Sequence, residues 1–175
     1  MTLGKILICS VMVLFSNLAV AADIDPFVGN YTGSADVDHG GESAPRNMSV
    51  EIADTKDGFD VTWSTTIQRA NGEVDEKQYT IRFLQTTGSD VFPSAMKSDV
   101  FGNRVPLDPL NGDPYVWSHI AGETLTVYAL NILEDGGYEM QEYRRSLADG
   151  GLSLDYRRLR NGEKLRNVKA FLKKD

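Results

Sequence analysis

Beyond the first two dozen residues, apolar and polar positions alternate with a period of two. Met48, Val50 and Ile52 interleave with Ser49 and Glu51; Phe59, Val61, Trp63, Thr65 and Ile67 interleave with Asp60, Thr62, Ser64 and Thr66. Tyr79, Ile81 and Phe83 continue the pattern, and Val168, Ala170 and Leu172 repeat it near the end. That period belongs to half-buried β-strands, and no long segment shows a clean helical one. Between the runs stand Asp57-Gly58, Asn71-Gly72, Thr87-Gly88-Ser89, Ala121-Gly122-Glu123, Asp135-Gly136-Gly137, Asp149-Gly150-Gly151 and Asn161-Gly162. Each contains residues that tolerate the positive φ of tight hairpins. The pattern predicts roughly eight to ten antiparallel strands joined by local turns. A meander with one apolar face buries that face, and loses its edges, by closing on itself. The expected fold is all-β, a single antiparallel up-and-down barrel, with a two-sheet sandwich as the alternative.

Two segments break the rhythm. From Pro93 to Pro114 the chain reads PSAMKSDVFGNRVPLDPLNGDP, without alternation, as either a loop capping a barrel mouth or a crossover packed by Met96, Phe101, Val105 and Leu110. At the start, Lys5 precedes an apolar run from Ile6 to Phe15, and small residues from Ala19 to Ala22 lead to Asp23. This is the order of a secretory signal, and the apolar run is short for a membrane span. Residues 1–22 are therefore expected to be a signal peptide and 23–175 one domain, working in a bacterial periplasm or outside the cell and not membrane-embedded after cleavage. The one cysteine, Cys9, lies in the leader, so packing rather than disulfides must hold the domain.

The stretch Asp25-Pro26-Phe27-Val28-Gly29-Asn30-Tyr31-Thr32-Gly33 resembles the opening of lipocalin-like (calycin) barrels. There a Gly-x-Trp begins the first strand after a short closing turn, and Tyr31 stands here in the tryptophan's place. The resemblance implies an up-and-down barrel with an arginine from a late strand packed on that ring, for which Arg157, Arg158 and Arg166 are available. The segments PLDPLNGDPYVW and DGGYEMQEYRR give the chain a likeness to small exported bacterial proteins, which implies location and no activity.

The formal net charge of −7 disfavours nucleic acid and anionic lipid as partners. Basic residues nevertheless concentrate in the last third, among them Arg144, Arg145, Arg157, Arg158, Arg160 and Arg166. Hairpin parity decides which of them face inward. A three-residue loop at Asp149-Gly150-Gly151 pairs Leu152 with Ala148, Tyr156 with Arg144 and Arg158 with Glu142. It places Tyr138, Met140, Glu142, Arg144, Tyr156 and Arg158 on the apolar face. A two-residue loop instead pairs Leu152 with Leu147 and puts Tyr143 and Arg145 there. The first is preferred because it gathers more apolar residues, and a three-residue turn at Arg160-Asn161-Gly162 agrees with it. That second turn sets Val168 opposite Leu154 and Ala170 opposite Leu152. Inward charges demand partners or water. Glu142 and Arg158 then form either a cross-strand brace or part of a site whose surplus arginine charge and Tyr156 meet an acidic ligand group.

Trp63 and Trp117 sit on alternating aromatic positions that serve either core packing or ligand stacking. His119 shares the face of Trp117 and is a candidate ligand contact. A lone histidine suggests no haem, and no metal site or cofactor is expected. Without a second cysteine, a Gly-x-Ser-x-Gly elbow or a phosphate-cradling glycine loop before a helix, catalysis has no motif. The sequence therefore points to an exported, non-catalytic protein holding a small apolar or amphipathic ligand, an acidic one included, in a barrel. The alternative is an envelope interaction or assembly protein with a filled barrel, acting through its surface on an unspecified protein partner.

Overall fold

The computed structural model describes residues 23–39, 42–68, 72–95, 97–98, 101, 104–105 and 107–175. The expected export signal at 1–22 lies outside the described residues. The strands are β1 (Gly29–His39), β2 (Glu42–Thr55), β3 (Gly58–Gln68), β4 (Val74–Leu84), β5 (Val91–Pro93), β6 (Lys97–Ser98), β7 (Arg104–Val105), β8 (Tyr115–Ala121), β9 (Thr124–Ile132), β10 (Tyr138–Ala148), β11 (Gly151–Arg160) and β12 (Glu163–Lys174). Ten of them form one antiparallel sheet in the order β4-β3-β2-β1-β12-β11-β10-β9-β8-β5, and β6 pairs with β7 as a separate two-stranded ribbon. The alternating pattern and the hairpin signals thus give the all-β, up-and-down, nearly closed barrel that the sequence predicts. The ends of the meander meet where Phe83 bridges to Ser94 and the Ala95 N–H donates to the Arg82 carbonyl at 2.8 Å.

The two ends of the barrel differ. The end carrying the Asp57-Gly58 turn is filled. Phe59 packs on Phe83 and on Phe92 with centroids 5.2 Å apart in each case. Ile52, Val61, Ile120, Leu125, Val127, Leu152 and Leu172 complete that core. Each such side chain contributes about 1.5–3 kcal/mol on leaving water. A short 3₁₀ turn, Asp25–Phe27, stoppers this end with buried Phe27. Tyr31 locks the stopper, its hydroxyl donating to the Phe27 carbonyl at 2.8 Å. The cation beside Tyr31 is Lys174 rather than one of the three arginines. Its Nζ lies 5.6 Å from the ring centroid and donates to the Val28 carbonyl at 2.8 Å. Arg157, Arg158 and Arg166 are too far up the last hairpin, whereas Lys174 pairs directly with Tyr31 in the β1–β12 ladder.

Both hairpin loops of the last three strands are shorter than parity arguments suggest. Ala148 pairs with Gly151, which leaves a two-residue loop, Asp149-Gly150. Gly150 takes the left-handed conformation there, at φ +73°. Gly151 is a strand residue: a Cβ on it would stand 2.1 Å from the Leu172 carbonyl oxygen, so it is glycine because β12 comes close. The one-residue difference flips every side chain of β10. Leu152 faces Leu147, Tyr156 faces Tyr143, and Arg158 faces Gln141. The last turn is Asn161-Gly162, both at positive φ, as two-residue hairpins prefer. A bulge following that turn shifts the register by one more residue. Val168 consequently faces Tyr156 and Ala170 faces Leu154, two positions from expectation but still on the interior face.

Candidate functional site

Away from the filled end, the interior opens into a cavity of about 350 Å³ between β2, β3 and β4 on one side and β10, β11 and β12 on the other. That is at the small end of ligand-site volumes. Its middle is aromatic. Trp63 on β3 stacks with Tyr79 across the β3–β4 ladder, centroids 5.7 Å apart, and reaches Tyr143 of β10 at 5.4 Å. Tyr143 lies 4.7 Å from Tyr156 of β11, its direct cross-strand neighbour. Met48, Leu154 and Val168 line the same cavity. The Tyr143 hydroxyl donates to Gln141 Oε1 at 2.8 Å. Burial pushes the Tyr143 and Tyr156 phenols above their ordinary range, so both stay neutral and act as hydrogen-bonding groups, not as anions.

Cations line the same cavity: Arg46, Lys77, Arg145, Arg158 and Arg166. No carboxylate is among the lining residues described. Arg158 has a carboxylate at its side, donating from Nη2 to Glu139 Oε2 at 2.6 Å. That bond holds Glu139 below the ordinary glutamate range despite its burial, and raises Arg158 in turn. Arg46 is pushed down by burial and then by the like charge of Arg166. Arg145, 1% exposed, is the most enclosed of the five. Its guanidinium carbon stands 5.8 Å from the Trp63 ring centroid and 5.5 Å from that of Tyr143. Its Nε and Nη1 are sealed from solvent without a hydrogen-bond partner. Burial lowers its pKa to about 10, with Tyr143 working weakly the other way, so the group stays charged at neutral pH.

Of the residues singled out from sequence, Trp63, Tyr156 and Arg158 line this cavity. The other six do not. Tyr138, Met140, Glu142 and Arg144 occupy the alternate positions of β10 and point outward, because the Asp149-Gly150 loop is one residue shorter than assumed. Glu142 accordingly does not meet Arg158. It lies on the outer face between Arg144, at 3.9 Å, and Arg157, at 3.8 Å. Trp117 and His119 are also outward, since Val116, Ser118 and Ile120 are the buried positions of β8. Trp117 stacks on Tyr128 at 5.0 Å, and His119 pairs with exposed Asp90 at 2.9 Å. Parity from the preferred loop missed Tyr143, Arg145, Gln141 and Glu139. The two-residue loop carries the signal for the first two. Tyr79 was legible as an alternating position of β4, next to Trp63.

No protein-family model matches the chain, and none of the curated proteins compared with it is similar.

Proposed function

We propose that the protein is a non-catalytic binding module that holds one small amphipathic molecule in the open half of its barrel, and that it works outside the cytoplasm after removal of residues 1–22. One observation carries this reading: half of the barrel is packed solid while the other half leaves about 350 Å³ walled by Trp63, Tyr79, Tyr143 and Tyr156. Barrels of this size either fill themselves with side chains or leave room for one ligand. Aromatic walls with polar tips accept a molecule that is apolar along its body and polar at an end. Lys174 on Tyr31 at the mouth of the first strand supports a calycin-type relationship, with lysine in the arginine's role.

The test is a titration with the neutral fluorescent probe N-phenylnaphthylamine. One probe per chain should bind, and Trp63→Ala should weaken it about tenfold, the loss typical of a central aromatic contact. Trp117→Phe, on the outer face, should leave the affinity unchanged. Equal losses from both substitutions, or no binding at all, would refute the cavity as the site. A second reading, a surface-acting envelope protein, is favoured by Phe101 and Leu110 on the 93–114 segment, which are 86% and 85% exposed. It calls for a captured protein partner lost on Phe101→Ser and Leu110→Ser, with probe binding intact.

A further inference from the structure

The geometry points to Arg145 as an oxyanion receptor, and so to a ligand that is a carboxylic acid with a flat apolar body. The inference rests on the cavity reading above and specifies its ligand. Three observations converge on it. Arg145 is fully enclosed and charged, yet its Nε and Nη1 have no partner. Burying a charge without a paired counter-charge costs several kcal/mol, by order of magnitude. The faces of Trp63 and Tyr143 offset part of that cost, but a ring face cannot accept the in-plane N–H hydrogens. Glu139, the buried carboxylate of this half of the barrel, is committed to Arg158. Among the described residues no carboxylate lines the cavity beside Arg145, so a ligand supplies its counter-ion.

The surroundings narrow its chemistry. Arg145 lies at the level of Leu154 and Ala170, one tier below Tyr143, Tyr156 and Val168, and two below Gln141, Arg158 and Arg166. An anion reaching it passes between aromatic rings, so the acid group leads and the apolar body stays among Trp63, Tyr143 and Tyr156. A carboxylate is planar and carries one charge, matching one guanidinium. A phosphoryl group would bring a second negative charge under the rings, beyond what the one guanidinium of Arg145 balances. The remaining cations of the lining, Arg46, Lys77, Arg158 and Arg166, give an anion an attractive path inward although the whole chain is acidic.

The experiment compares naphthylacetate with its neutral isostere naphthylacetamide, each displacing N-phenylnaphthylamine from the full domain. Wild type should prefer the acid by about tenfold or more, as expected for charge-assisted hydrogen bonds to a buried guanidinium. Arg145→Met keeps length and removes charge. It should abolish that preference, read as the ratio of acid to amide affinity, and leave the ligand-free melting temperature unchanged or a few degrees higher, since an unpaired buried charge has gone. Equal binding of acid and amide by wild type, or an undiminished preference in Arg145→Met, overturns the receptor role while leaving the cavity reading standing. Failure of all three compounds to bind sinks both. Should Arg145→Met not fold, the wild-type Nε–H resonance of Arg145 decides: it should move on adding naphthylacetate and stay on adding naphthylacetamide, and a signal indifferent to both overturns the proposal.

Discussion

Trp63 and Trp117 are one residue type with opposite surroundings, and the difference lies in which neighbours their strands supply. Trp63 is flanked by Tyr79 and Tyr143 inside the barrel, Trp117 by Tyr115 and Tyr128 outside it. A bound ligand should therefore change the emission of Trp63 alone. In Trp117→Phe the ligand-induced change should persist in full, and in Trp63→Phe it should vanish; a change carried by Trp117 would place the ligand on the outer face. Alternation alone marked both residues as inward, because period two tells only that a strand has two faces. Which face is inner depends on neighbours in other strands. For β8 the deciding residues are Val116 and Ile120, apolar enough to claim the core from the aromatic side chains between them. Tyr31 and Lys174 show the same limit at longer range. The ring was legible in Gly29-Asn30-Tyr31, but its cation required knowing that β12 closes the barrel against β1. Lys174→Ala removes a hydrogen bond to the stopper and a cation from the ring face, and should cost about 1–2 kcal/mol in denaturant unfolding. No loss would mean that the contact is incidental.

At the scale of elements, glycine has two different jobs in this chain, and reading one as the other misplaces a strand. Gly150 turns the β10–β11 hairpin through its positive φ, whereas Gly151 makes room for the Leu172 carbonyl. Treating both as loop exchanges inward Gln141, Tyr143 and Arg145 for outward Met140, Glu142 and Arg144. The meander itself was legible because period-two runs and glycine turns are local signals; the interior of β10 was not, because a one-residue choice at its end governs the whole strand. Gly33 performs the second job at the seam between β1 and β12. A Cβ there would meet the Phe171 carbonyl oxygen at 2.4 Å and the Leu172 side chain at 2.9 Å. Gly33→Ala should destabilise the barrel by about 1–3 kcal/mol through overpacking. A neutral effect on the melting temperature would show that the seam yields without strain.

For the whole molecule, the division into a packed half and an open half separates stability from binding. Substitutions among Phe59, Phe83 and Phe92 should unfold the domain, while those among Trp63, Tyr156 and Arg145 should chiefly change what it holds. The Glu139–Arg158 pair stands in the open half, and its pH dependence has a definite sign. Arg158 holds Glu139 below its unfolded value, so the pair's stabilisation is fully present above about pH 4.3. It is lost as pH falls through the lower, folded value. Because Arg158 is partly exposed, the contribution should be about 1 kcal/mol or less. Glu139→Gln should flatten the acid limb of the stability curve by that amount, and an unchanged limb would place the acid sensitivity in other carboxylates.

Whether the barrel interior is the binding site is read directly by a two-dimensional NMR titration of the domain with naphthylacetate. Perturbations should cluster on the inward positions of the open half, at the Trp63 indole, Tyr79, Tyr143, Arg145 and Tyr156, and leave the Trp117 indole and the packed half still. Perturbations centred on Trp117 and Tyr128, or none at saturating ligand, would contradict a binding site inside the barrel.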